Sequence, residues 1–310
     1  MCVKYLLSRS GDRAVGQYCQ SPMYVFVGCH RARCHIVAIE AMDLIKYCLF
    51  YYWEAEADPR TVHYPLMQGG PLLVFVIITL YVLFVKMVGP VWMRHREPFR
   101  LKKILVIYNL YNVLVNVWFF VESIYCLDYG RKLYDFKFPS KENRSAKSLH
   151  CCTMIYIYML SKFVDMADTI FFVLRKKNDQ ASFLHVYHHS IVPLLMWMAV
   201  KLMPCAGPAG LFPLLNSFIH AIMYFYYTMA ALGPRYHKHI LFWKKYITMI
   251  QLSQFVCYIV HATLFLFLQS GYPIFVVYLA YVQNPFFLIM FYQFFRATYQ
   301  PRNKLISKSK

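Results

Sequence analysis

Residues 71–92 read PLLVFVIITLYVLFVKMVGPVW, in which Lys86 is the one charged side chain. At about 1.5 Å of rise per residue such a helix is about 33 Å long, enough for a hydrocarbon core of about 30 Å. This stretch reads as a membrane span. Moving along the chain, further apolar segments are centred at 104–125, 151–174, 185–200, 211–232, 246–269 and 273–295, so the sequence predicts an all-α polytopic membrane protein of about seven transmembrane helices. The fourth is short, and the third carries Lys162, Asp165 and Asp168, so hydropathy alone supports those two least. The composition agrees: 59% of the 310 residues are hydrophobic and only 15% charged, which excludes a disordered chain. A net charge of +19 would suggest nucleic acid on a soluble protein. Here the excess sits in short loops between apolar runs, the pattern of a membrane protein, and no nucleic-acid partner is expected.

The segments outside the spans carry less. Residues 1–35 lack an uninterrupted apolar stretch, which argues against a cleaved signal peptide. Residues 36–53 (IVAIEAMDLIKYCLFYYW) are broken by Glu40, Asp43 and Lys46, which suits a helix lying at the interface better than an eighth span. The chain thus divides into an N-terminal extension (1–56), a transmembrane domain (57–299) and a basic tail (300–310). Of ten cysteines, four fall in the first 34 residues and the rest are scattered without metal-type spacing, so neither a disulfide framework nor a zinc ribbon is expected.

Charge sets the orientation. The loops 93–103, 175–184 and 233–245 and the C-terminus share one side and are basic, which makes that side cytosolic and the N-terminus luminal. The loop 126–150 is also basic and argues the other way. It contains Asn143-Arg144-Ser145, however, a glycosylation sequon usable only on the luminal side.

Ionisable groups inside a span cost about 2.5–3.5 kcal/mol each near the bilayer centre on insertion scales, so they persist where they pair, line a cavity or act. Four clusters stand out. Lys162, Asp165, Asp168 and Thr169 lie within one arc of the third span, as the supporting wall of a polar chamber or a salt-bridged lock between helices. His185, His188 and His189 sit at i, i+3 and i+4 on one turn, and three imidazoles on a turn are unusual for packing alone. Asn216, His220, Met223, Tyr224 and Tyr227 share a face of the fifth span, either a site or aromatic packing around one histidine. Thr248, Gln251 and Gln254 form a stripe on the sixth, where hydrogen-bonding glue between helices is the alternative. With the orientation above, most of these groups lie in the cytosolic half of the membrane. One polar chamber open to the cytosol accounts for all four.

The segments KFVDMADT (162–169), HVYHH (185–189), NSFIHAIMYFYY (216–227) and TMIQLSQ (248–254), with LVIYNLYN (105–112), resemble the signature boxes of the very-long-chain fatty acid elongases, membrane condensing enzymes of the endoplasmic reticulum. The resemblance runs from about Ala57 to about Tyr299. One departure is Asp165, where the family usually has Glu. The resemblance implies condensation of an acyl-CoA with malonyl-CoA to a 3-oxoacyl-CoA, releasing CoA and carbon dioxide, with no cofactor or metal. It also implies an acyl tunnel, residence in the endoplasmic reticulum membrane, and association with the other enzymes of the elongation cycle.

The residues can support that chemistry. An imidazole attacks a thioester readily and gives an acyl-imidazole still able to pass the acyl group on. Decarboxylation of malonyl-CoA then supplies the enolate, so the site needs donors where the oxyanions develop rather than a strong base. His188 is expected as the nucleophile or its immediate partner, with His220 facing it, His185 and His189 positioning it or exchanging protons, and Asn216 as a donor. Arg94, Arg96, Lys102, Lys103, Lys244 and Lys245 are candidates for the CoA phosphates, or simply topology determinants. A histidine-box iron desaturase or hydroxylase is the alternative, but too few histidines form boxes to hold two irons. A transporter would show broken helices and repeat symmetry, and neither is visible.

The orientation predicts that the protein in microsomes carries a glycan on Asn143, seen as a gel shift that a glycosidase reverses and that Asn143→Gln abolishes. A C-terminal tag accessible only after the membrane is dissolved would contradict it.

Overall fold

The structure, a computed structural model, describes residues 46–233, 235–236, 240 and 242–299. Residues 1–45 and 300–310, with most of the expected interfacial segment and the basic tail, lie outside the described residues. Lys46–Ala55 is helical, through Tyr47–Tyr51 and Tyr52–Ala55, and exposes Leu49, Phe50 and Tyr51, as an interfacial helix would.

Among the described residues, six helices are long and apolar enough to cross a membrane. They are α1 (Leu72–Met93), α2 (Lys102–Cys126), α5 (Phe183–Leu202), α6 (Leu211–Leu232, entered through a tight turn at Pro208–Gly210), α7 (Trp243–Leu268) and α8 (Ile274–Tyr299). The expected seventh, 151–174, is not one continuous helix. It forms α3 (Ala146–Val164) and α4 (Ala167–Leu174), broken where the amides of Met166 and Asp168 turn to carbonyls three residues back, Phe163 and Asp165. The charged side chains that made this segment weak by hydropathy sit at or beside the break.

Six helices close a ring. α2 runs along α6, α6 along α7 and α7 along α8; α8 touches α5, α5 runs along α3, and α3 returns to α2. α1 packs outside, against α5 and α4. The ring is inside-out relative to a soluble bundle. On α2 the side chains of Asn109, Asn112 and Asn116 are buried while Ile107, Leu114 and Val121 are more than half exposed. Asn112 and Asn116 donate to carbonyls one turn back in their own helix, Tyr108 and Asn112, at 3.0 and 2.8 Å. An apolar outer face and a polar inner one suit lipid outside and a polar interior.

Each end of the ring is tied by short contacts. At the near end the amide of Phe99 donates to Leu174 O and Lys176 Nζ to Arg94 O, joining the loops 93–103 and 175–184. At the far end Lys137 and Ser270 form an isolated parallel bridge, in which Phe138 N donates to Ser270 O at 2.8 Å and Ser270 N to Phe136 O at 2.9 Å. The chain from Glu56 to Gly70 also covers this end of α5: Asp58 N donates to Lys201 O, Thr61 Oγ1 to Val200 O, Trp197 Nε1 to Leu66 O, and Lys201 Nζ to Met67 O. Gly207 lets the following turn approach, because a Cβ there would lie 2.1 Å from Lys132 O.

Two covalent or ionic locks hold the far end. Cys126 at the end of α2 is bonded to Cys151 in the first turns of α3, a disulfide that scattered cysteine spacing did not predict. Asp58 and Arg60 form a buried pair with two hydrogen bonds between carboxylate and guanidinium, 2.8 and 2.6 Å, and Arg60 Nη1 reaches Ser148 Oγ at 2.8 Å. Removing one partner of a buried pair leaves an uncompensated charge, at a cost of about 3–5 kcal/mol. Arg60→Ala should therefore lower the thermal midpoint of the detergent-solubilised protein markedly, whereas exposed Lys132→Ala should change it little; equal effects would contradict the assignment.

Candidate functional site

The histidine box owes its place to a capped helix start. Ser182 ends the preceding loop, and its Oγ accepts from His185 N at 3.3 Å, so α5 begins at Phe183 and places His185, His188 and His189 in its first two turns. The rings of His185 and His189 lie 4.3 Å apart, and those of His188 and His189 5.3 Å. Pro193 sits one turn later and has no N–H to give the carbonyl of His189, so that carbonyl is free for another partner.

Across the ring, Lys162 is 3% exposed and bonds Asp165 Oδ2 at 2.8 Å and Asn216 Oδ1 at 3.3 Å. The shorter carboxylate at 165 thus reaches its lysine. Tyr158 OH donates to the same Asn216 oxygen at 2.6 Å. With its oxygen held by two donors, the Asn216 amide nitrogen is left to point elsewhere. Tyr224 OH donates to Asp168 Oδ2 at 2.7 Å and lies 3.4 Å from Asp165 Oδ1, while its ring stands 5.8 Å from that of His220. Thr169 shares a 2.6 Å hydrogen bond with Tyr81 OH of α1.

A cavity of about 180 Å³ unites part of this set. His188, Asn216 and Gln254 line it together with Gln283 of α8. Below that polar head the walls are largely apolar, with Val192, Leu195, Met196, Ala199 and Met203 following one face of α5 away from His188, and His261 of α7 a polar exception. From His188 to Met203 this is about 22 Å of helix. Two buried atoms of the head, Gln254 Oε1 and Gln283 Nε2, have no partner among the described residues, and neither do His185 Nε2 and His220 Nδ1, although His185, His189 and His220 do not themselves line the cavity. Unpaired buried polar atoms are uncommon in folded proteins, and the two on the cavity wall are free to meet a ligand.

Not every expected residue joins. Tyr227 is 41% exposed, does not line the cavity, and stands edge-on to the rings of Tyr224 and Tyr226. Thr248 donates to Lys244 O in its own helix and meets Tyr299 OH at 3.4 Å, while Gln251 Nε2 approaches Met223 Sδ. These act between helices rather than on the cavity. Arg94, Arg96, Lys102, Lys103, Lys244 and Lys245 are all exposed at the near end, and Arg96 lies over the Trp92 ring. Among the described residues none of the six pairs with a carboxylate. Asn143 is exposed in the loop at the far end, its Oδ1 accepting from Ser145 N.

Sequence reading missed Tyr158 and Gln283. Tyr158 lies one turn before Lys162, so helical spacing could have placed it on the same face. Gln283 lies in an apolar span, and a lone glutamine there was the available signal. The Tyr187 OH donates to its Oε1 at 3.0 Å, which ties α8 to the histidine box. Glu122, Cys126 and His150 lie close enough together to hold a cation, but Cys126 is committed to the disulfide. The histidines of α5 and α6 form no such group among the described residues.

The family described as ELO: GNS1/SUR4 family matches residues 66–306. Very long chain fatty acid elongase 7 of Rattus norvegicus is 40% identical over 272 residues, 85% of this chain and 94% of that protein. Very long chain fatty acid elongase 4 of Homo sapiens is 39% identical over 272 residues, covering 87% and 84%, and very long chain fatty acid elongase 1 of Mus musculus is 35% identical over 261 residues, covering 83% and 91%. Nothing in these relatives favours the iron enzyme.

The Lys162–Asp165 pair should tolerate Asp165→Glu, which keeps the charge and adds reach, and should not tolerate Asp165→Ala, which strands a buried ammonium at a cost of about 3–5 kcal/mol. Thermal unfolding in detergent compares the two; an alanine variant as stable as the parent would contradict the pair's role.

Proposed function

Because the chain belongs to the ELO family, we propose that it is the 3-oxoacyl-CoA synthase of a fatty acid elongation cycle, joining a long-chain acyl-CoA to malonyl-CoA. The observation that carries this reading is the cavity with His188, Asn216, Gln254 and Gln283 at its head and an apolar slot behind them. A polar head with a long apolar tail is the shape of an acyl thioester.

The CoA moiety binds at the near end, where the pyrophosphate and 3′-phosphate meet the unpaired cations of Arg94, Arg96, Lys102, Lys103, Lys244 and Lys245. The acyl chain lies along α5. The imidazole of His188 attacks the thioester carbon, the CoA thiolate leaves with the imidazole proton, and an acyl-imidazole remains. Malonyl-CoA then enters and loses carbon dioxide, and the enolate attacks the acyl carbon; the bond to His188 breaks, the departing imidazole takes up a proton from solvent, and the product is two carbons longer. Asn216, held through its oxygen by Lys162 and Tyr158, presents its amide N–H to the developing oxyanion. His220 Nδ1 and His185 Nε2 supply further polar contacts and move protons. Asp168 and Tyr224 hold the wall behind His220.

The orientation proposed here puts the near end in the cytosol, where both CoA substrates are met, and the far end in the lumen of the endoplasmic reticulum. The Cys126–Cys151 disulfide at the far end supports this, since disulfides persist in oxidising compartments. The surrounding partners are membrane lipid and the enzymes that reduce and dehydrate the 3-oxoacyl product.

The proposal predicts that acyl-CoA alone releases about one CoA per site and leaves the protein heavier by the acyl mass, with ping-pong kinetics in the steady state. Thiol-blocking reagents should spare this step, since no cysteine lines the cavity. His188→Ala should lose both the adduct and product formation while the protein stays folded. Release of CoA only when both substrates are present would reduce the histidines to acid, base or donor roles and overturn the covalent step.

A further inference from the structure

A second cavity, about 340 Å³, occupies the far end, and it is lined by Arg60, both half-cystines Cys126 and Cys151, and Cys205. It adjoins the acyl cavity, because Ile155, Pro204, Ala206 and Gly210 line both. The wall between them is therefore largely the segment that joins α5 to α6. Cys205 lies in the middle of that segment, between Pro204 and Ala206.

Its sulfur is 2.9 Å from that of Cys152, the residue after the disulfide-bonded Cys151 in α3. That separation is only about 0.9 Å longer than a disulfide bond of about 2.05 Å. Cys152 is fully buried, whereas Cys205 is partly exposed and faces the second cavity. The contact is embedded in a network: Cys205 Sγ approaches Ser148 O at 3.5 Å and Ser148 Oγ at 3.8 Å, and Arg60 holds that hydroxyl at 2.8 Å. Two observations thus meet here, a thiol pair close to bonding distance and an established disulfide on the same cavity.

We propose that Cys152 and Cys205 are a second, redox-sensitive disulfide site, which straps the wall between the two cavities to α3. The chemistry balances with a disulfide oxidant R–S–S–R, a small disulfide or a thiol–disulfide oxidoreductase. The Cys205 thiolate attacks one sulfur, forming Cys205–S–S–R and releasing R–S⁻. Cys152, giving up its proton, then attacks the Cys205 sulfur and displaces the second R–S⁻. Two electrons pass from the cysteine pair to the oxidant, and the two protons end on two R–SH. The hydrogen bond from Cys152 lowers the Cys205 thiol against the upward push of burial, and Arg60 adds to the lowering, so the more exposed member of the pair is the better first nucleophile. The bridge requires nothing of the reaction at His188.

The test is made on the full-length protein, extracted from membranes without reductant, with free thiols trapped by N-ethylmaleimide before digestion and mass spectrometry. The expected result is one linked cluster of peptides containing Cys126, Cys151, Cys152 and Cys205, lighter by two hydrogens per bridge and free of maleimide. Maleimide on both Cys152 and Cys205 beside an intact Cys126–Cys151 bridge would overturn the site. In Cys205→Ser, Cys152 should become reactive to maleimide while Cys126–Cys151 persists, and amide exchange across residues 203–210 should speed by about tenfold or more. Cys152→Ala serves the same comparison if the serine variant fails to accumulate. Exchange in 203–210 that matches the parent would show that the bridge does not strap the wall, and would overturn that half of the proposal.

Discussion

The ammonium of Lys162 is buried between α3 and α6, and the interior of the ring is arranged around neutralising it. In a lipid-facing protein such a charge has no water to fall back on, so Asp165, Asn216 and Tyr158 must all be in place at once. Satisfying it fixes the relative rotation of α3 and α6. That rotation turns Asn216 toward the cavity and sets Tyr224 against Asp168 and His220, so the polar head of the chamber follows from one electrostatic requirement.

The histidine box depends on a separate, local device. Ser182 starts α5 at a defined residue, the i, i+3, i+4 spacing gathers three imidazoles, and Pro193 interrupts the backbone bonding just beyond them. The ring joins this device to the lysine network across the cavity. Because α5 continues past the box as an apolar face, one helix supplies both His188 at the head of the cavity and an apolar wall behind it. That economy explains how a chain with few charged residues builds both a reactive head and a long lipid-like pocket.

Much of this was legible in the sequence, for physical reasons that differ by element. α1, α2, α7 and α8 announce themselves by length and hydropathy, since the lipid-facing part of a span stays apolar even where its inner face carries a few uncharged polar groups. The 151–174 segment did not, because Lys162, Asp165 and Asp168 depress its hydropathy, and its break at Asp165–Met166 appears only in the structure. The boxes on α3, α5 and α6 were visible because ionisable groups are expensive in a membrane. Thr248 and Gln251 share a stripe with Gln254, yet only Gln254 reaches the cavity, a distinction set by how α7 is rotated against its neighbours. Tyr158 and Gln283 carry no charge and so left little trace. The Cys126–Cys151 bond depends on the end of α2 meeting the start of α3, a tertiary fact that cysteine spacing does not encode.

The central claim is that the ring holds the acyl chain with its thioester at His188 and its tail toward the segment between α5 and α6. A long-chain acyl-CoA carrying a diazirine at its terminal carbon tests this directly, by photolysis in membranes and mapping of the adducts. The account predicts adducts on Met203, Ala206, Phe212 and their neighbours at the far end of the cavity, competed away by unlabelled acyl-CoA. Adducts confined to lipid-facing residues such as Ile107, Leu114 and Val121, and unaffected by the competitor, would show that the acyl chain does not enter the ring.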